Sequence, residues 1–135
     1  MKSFLQLKFI PLNPSFGLLL LRVWLGASMF VLHGWPKLQK VVKGDFAFGD
    51  PLGIGAAPTM VMAVLFEFVA SILLILGVLG RFSALLLAST MVVAWAIAHK
   101  MKLSGPDSGE LAFIYLAGFL TIVFAGTGKY GIEKP

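Results

Sequence analysis

Arg22, His33, Lys37 and Glu67 are ionisable side chains set inside stretches otherwise built from Leu, Val, Phe, Ala and Trp. Such a group deep in lipid costs about 2.5–3.5 kcal/mol on insertion scales, so each needs a reason to be there. His99, Glu110 and Tyr115, in or at the ends of later apolar runs, extend the set to seven. Three uses suit these residue types: one charge can neutralise another, several can line a polar pocket, and a carboxylate or imidazole can exchange a proton. Two histidines and a glutamate are also metal-ligand types, but no ligand spacing joins them and no metal is expected. No phosphate-cradling glycine loop, nucleophile elbow or nucleotide fingerprint is present, so no catalytic residue is assigned.

Helical spacing lets the polar set converge. At 100° per residue, Arg22, Gly26, His33 and Lys37 fall within about 60° on one face of the first helix. Glu67, Ser71 and Leu74 share a face of the second. If the helices start in one plane, Arg22 lies about 12 Å from the terminus side and Glu67 about 20 Å from it, near enough for an ion pair. The two either neutralise each other and fix helix register or belong to a binding site. His33 and His99 come out at a common level of about 27 Å, with Lys37 and Glu110 at that level or beyond. The expected picture is a pocket open towards the loop side, floored by Glu67 with Arg22. Lys37 is expected to snorkel to the interface, and His99 to end its helix.

Four segments of about 20 mainly apolar residues position these groups, at 15–37, 58–79, 81–99 and 109–125. Pro11 and Pro14 suit the start of the first, and Pro36 is expected to kink or close its last turn. The turn between the second and third, through Gly77 and Gly80, is very short. Gly77-Val78-Leu79-Gly80 and Gly126-Thr127-Gly128 read as helix ends with no further role. The long connection from Leu38 to Ala57 carries Gly44, Gly49, Gly53, Gly55 and Pro51 among Phe46, Phe48, Leu52 and Ile54. Glycine argues against a regular span and the aromatics against full solvation, so an interfacial or partly re-entrant cap is expected.

Composition names the solvent. Of 135 residues, 59% are hydrophobic and 13% charged, with a mean hydropathy of +0.93, whereas a soluble domain carries about 25% charged residues. The expected fold is an all-α integral membrane protein, one domain over 1–135, with four transmembrane helices in a bundle and the glycine-rich loop between helices 1 and 2. The formal charge of +5 is best matched by anionic lipid head groups rather than nucleic acid. The absence of cysteine rules out disulfides and thiol chemistry by this chain. Arg22 inside the first apolar run argues against a cleaved signal. Five cations fall on each side of the expected topology, so charge bias does not orient it.

The chain resembles the DoxX family through Arg22, Gly26, Phe30, His33-Gly34 and Lys37-Leu38 in the first helix. The match continues with Glu67, Leu73 to Gly77, Arg81, His99, Glu110-Leu111-Ala112, Tyr115 and a closing Gly126-Thr127-Gly128-Lys129-Tyr130. That resemblance implies a four-helix protein of the bacterial cytoplasmic membrane with both termini cytoplasmic. Its relatives are linked to a thiosulfate:quinone oxidoreductase and other membrane redox complexes, and distant animal relatives resemble chaperones or cargo receptors. Relatives active in disulfide chemistry carry cysteines, so that role does not transfer.

Two functions follow as expectations. One is a redox-associated subunit that holds a quinone or similar amphiphile among Arg22, His33, Lys37, Glu67, His99, Glu110 and Tyr115, with a partner supplying the electron carrier. The other is a non-enzymatic scaffold or assembly factor that docks other membrane proteins. A small-acid transporter is a weaker third option, because four helices would have to oligomerise to make a path.

Overall fold

The computed structural model describes residues 1–46 and 53–133, and these are helical throughout their regular parts. A short α1 at Lys2–Leu5 precedes four long helices: α2 Pro14–Val42, α3 Ala56–Leu76, α4 Gly80–Ala98 and α5 Glu110–Ala125. The first three of these are long and apolar enough to cross a bilayer. α5 has 16 residues, about 24 Å of rise against a hydrocarbon core of about 30 Å.

Start signals match the sequence. Asn13 caps α2, its side-chain oxygen accepting from the Phe16 amide at 3.1 Å, and Pro14 takes the first helical position, where no amide hydrogen bond is lost. Gly77 ends α3 in the left-handed conformation at φ +73°, which costs glycine little.

Of the two outcomes expected at Pro36, a kink or a closed last turn, closure does not occur: α2 runs on to Val42. A proline inside a helix cannot donate to the carbonyl four residues back, and its ring crowds that turn. The chain answers with a wide π-helical turn at Phe30–Gly34, where the Trp35 amide bonds to Phe30, and then resumes the α-helix. Similar π turns interrupt α3 at Leu65–Val69 and α4 at Val93–Ala98. Wide turns of this sort are frequent at functional sites. With α2 longer than expected, the connection to α3 begins after Val42. Phe48, Gly49, Pro51 and Leu52 of the expected cap lie outside the described residues.

Met29, Leu74, Leu87, Phe119 and Ile122 are fully buried and form the shared core of α2 to α5. The outward faces carry Leu20, Trp24, Leu32, Leu65, Phe82, Leu85, Ile114 and Phe124, all exposed. Surface this apolar is stable against lipid, not water. Gly26 brings α2 onto α3, with room for no β-carbon: one would lie 2.6 Å from Ile75.

Candidate functional site

Seven residues were expected to form one pocket, and the bundle divides them. Arg22 lies at the terminus end, only 2% exposed. Its guanidinium donates to the carbonyls of Thr127 at 2.8 Å and Tyr130 at 3.1 Å, with a longer contact to Ile75 at 3.4 Å. Ile75 belongs to the last turn of α3, and Thr127 and Tyr130 lie just past the end of α5. The cation therefore sits where the negative ends of two helix dipoles meet. Gly126-Thr127-Gly128 consequently does more than end a helix, since it delivers a carbonyl to a buried charge.

An Arg22–Glu67 ion pair, which the spacing allows, does not form. Helices beginning in one plane would bring the two within reach, but the α3–α4 turn is recessed: a β-carbon on Gly77 would lie 3.4 Å from the Arg22 guanidinium. Glu67 stands eight residues up α3 from Ile75, about 12 Å away along the axis. Its partner is Lys37, which forms a salt bridge to its carboxylate. Glu67 is buried and the Lys37 side chain is 21% exposed, so Lys37 turns into the bundle instead of snorkelling. The helix crossing explains this, because Gly34 rests on the Glu67 backbone and the following turn of α2 carries Lys37 over the carboxylate.

Around that pair lies a cavity of about 630 Å³, within the range of pockets that hold drug-sized ligands. Five of the seven expected residues line it: His33, Lys37, Glu67, His99 and Tyr115. Arg22 is not among them, being committed to carbonyls at the other end. Glu110 is exposed at the first turn of α5 and does not line it either. His33 meets Tyr115 edge to face, with ring centroids 5.9 Å apart. Among the described residues neither the His33 ring nor the Tyr115 hydroxyl has a hydrogen-bond partner, although Tyr115 is only 6% exposed. His99 is tethered, its Nδ1 lying 2.9 Å from the Asp107 carbonyl.

The remaining walls are mostly apolar. α3 presents Thr59, Met62, Ala63 and Phe66 at helical spacing, and its π turn adds Glu67 beside Phe66. α4 presents Ser89, Thr90, Met91, Val93 and Ala94, and Ile54 closes over from the connection before α3. The hydroxyls of Ser89 and Thr90 donate back to Leu85 and Leu86 at 2.9 and 3.0 Å, leaving no donor for a ligand. Sequence reasoning did not single out these α3 and α4 residues, since apolar and small residues at helical spacing look the same whether they face lipid, core or cavity. Among the described residues, no three His, Asp or Glu side chains gather as a metal-binding group.

Comparison with known proteins follows the same lines. The family model described as DoxX matches residues 17–100, a span that holds Arg22, His33, Lys37, Glu67 and His99. A Haemophilus influenzae protein described as "Uncharacterized protein" is 36% identical over 117 residues, covering 80% of this chain and 82% of that protein. No solved structure matches.

Proposed function

The chain belongs to the DoxX family of membrane proteins, and from that premise we propose that it is a redox-associated membrane subunit whose cavity binds a quinone or a similar amphiphile. The observation that carries this reading is the pairing of unspent hydrogen-bonding groups with a partly buried ion pair at one wall of a mostly apolar cavity. His33 and Tyr115 reach a headgroup carbonyl as donors, and a neutral imidazole can place its N–H on either nitrogen. Glu67, held by Lys37, is the group that exchanges a proton with the bound headgroup. Electrons come from a partner protein. In this proposal all four long helices cross the bilayer as one domain, the short α5 among them. The membrane is the bacterial cytoplasmic membrane, and both termini face the cytoplasm. The start of α2 and the segment after α5 share one end of the bundle, where the Lys129 amide lies 3.3 Å from the Ser15 hydroxyl, which supports placing the two ends on one side of the membrane.

Native mass spectrometry of the protein extracted in its own lipid, beside Glu67→Gln, tests the reading. A quinone or similar amphiphile retained by the wild type and lost from the variant is the expected result. Bulk lipid alone in both would overturn it and turn attention to the scaffold role. For that role the apolar recess of Leu20, Val23, Trp24, Ala27 and Ser28 on α2, with Trp24 exposed, is the place where another membrane helix would dock.

A further inference from the structure

The cavity is not closed on all sides by helix packing. From the π turn to Leu76, α3 runs against α4. Above Glu67 the two part company: Ala56–Val64 leans on the end of α2 at 35–42, while the last turns of α4, Val93–Ala98, pack on α5. Between the diverging halves lie two cavity-lining residues that no neighbouring helix covers, Met62 on α3, 39% exposed, and Ser89 on α4, also exposed. Both lie inside the long apolar helices, so the surface they reach is the lipid-facing one.

From this we infer that the occupant reaches the cavity sideways from the bilayer, between α3 and α4, and carries a flexible apolar tail that lies in this slot. Polarity along the cavity argues for the orientation. Lys37, Glu67, His33 and Tyr115 stand at the inner wall, and the slot offers methyl and methylene groups. Ser89 and Thr90 look polar in the sequence but spend their donors on their own helix, so an isoprenoid or acyl chain passes them without stranding a donor. Met62, Ala63 and Val93 line this side of the cavity with apolar groups alone, a surface that suits a hydrocarbon chain and offers a polar headgroup nothing to bond. This deepens the amphiphile reading above and rests on it.

Vesicles of phosphatidylcholine holding the full chain test it with two probes, each with a diazirine on its chain: a long-tailed benzoquinone and a phosphatidylcholine. After illumination, labelled residues are mapped by peptide mass spectrometry. The benzoquinone tail is expected to label Met62, Ala63 and Val93 in competition with unlabelled long-tailed benzoquinone, and the lipid probe to label outward residues such as Leu65 and Leu85. Ala63→Phe and Ala94→Phe, each filling the slot from a different helix, are expected to abolish the inner labelling; a melting curve checks that each variant is folded. If neither probe labels the slot residues, lateral access is overturned. If the lipid probe labels the slot as strongly as the benzoquinone and without competition, the slot stands and the quinone reading falls.

Discussion

Gly34 of α2 crosses Glu67 of α3 so closely that a β-carbon on Gly34 would lie 2.9 Å from the Glu67 carbonyl oxygen and 3.0 Å from the Phe68 α-carbon. Both neighbours are helix backbone and cannot swing aside. The contact sets the height at which the two helices meet, and so places Lys37 over the Glu67 carboxylate. Gly34→Ala is expected to force α2 and α3 apart there, lowering the melting temperature in mild detergent and abolishing retention of the proposed amphiphile. Gly17 is the control. Nothing lies within 4 Å of a β-carbon at that position, so Gly17→Ala is expected to gain about 0.5–1 kcal/mol from helix propensity and keep the ligand.

The Lys37–Glu67 pair should behave as a unit. Removing Lys37 leaves the buried Glu67 charge without its partner, which costs about 3–5 kcal/mol for a desolvated charge, and removing Glu67 costs less because Lys37 is partly exposed. Lys37→Met and Glu67→Leu are each expected to destabilise the bundle. Lys37→Met/Glu67→Leu is expected to be more stable than either single variant while still failing to bind. A double-mutant cycle from denaturation in mixed micelles reads the coupling; simple additivity would count against the pair.

Arg22 is expected to hold the segment after α5 in place. Arg22→Leu strands the carbonyls of Thr127 and Tyr130, and Arg22→Lys supplies a compact cation that does not reproduce the planar fork of donors. Limited trypsin digestion reports this at Lys129: fast cleavage in Arg22→Leu, intermediate in Arg22→Lys and slow in the wild type.

Two variants separate ligand contacts from packing. Tyr115→Phe keeps the ring that stacks on Phe119 with centroids 5.8 Å apart and removes only the hydroxyl. It is expected to weaken retention of a long-tailed benzoquinone about tenfold, the worth of one hydrogen bond of about 1.4 kcal/mol, with little change in melting temperature. His33→Ala is expected to weaken it at least as much. Unchanged retention in both would exclude this wall as the headgroup site.

The helices were legible from apolar run length, and the polar set from its misplacement in those runs. His33, Lys37 and Glu67 could be brought together by angular position on their helices. What could not be read was stagger. Nothing local in the sequence says that the turn after Leu76 is recessed to the level of Arg22, yet that offset exchanges Glu67's partner from Arg22 to Lys37. The π turns were hidden for a related reason. Pro36 signalled a disturbance in α2, but Leu65–Val69 and Val93–Ala98 contain no proline or glycine to mark them. The partners of Arg22 escaped notice because backbone carbonyls have no residue type to search for.

Arg22 is joined to carbonyls 105 and 108 positions further along the chain. During synthesis at about 5–20 residues per second, its guanidinium therefore waits several seconds or more before Thr127 and Tyr130 exist. Until then the first long helix carries a cation that only water, lipid phosphate or the insertion machinery can accommodate, and it is free to sit higher than its final depth. Making the segment after α5 lets Arg22 settle, so a chain interrupted before Thr127 would hold an unmatched charge in its first long helix.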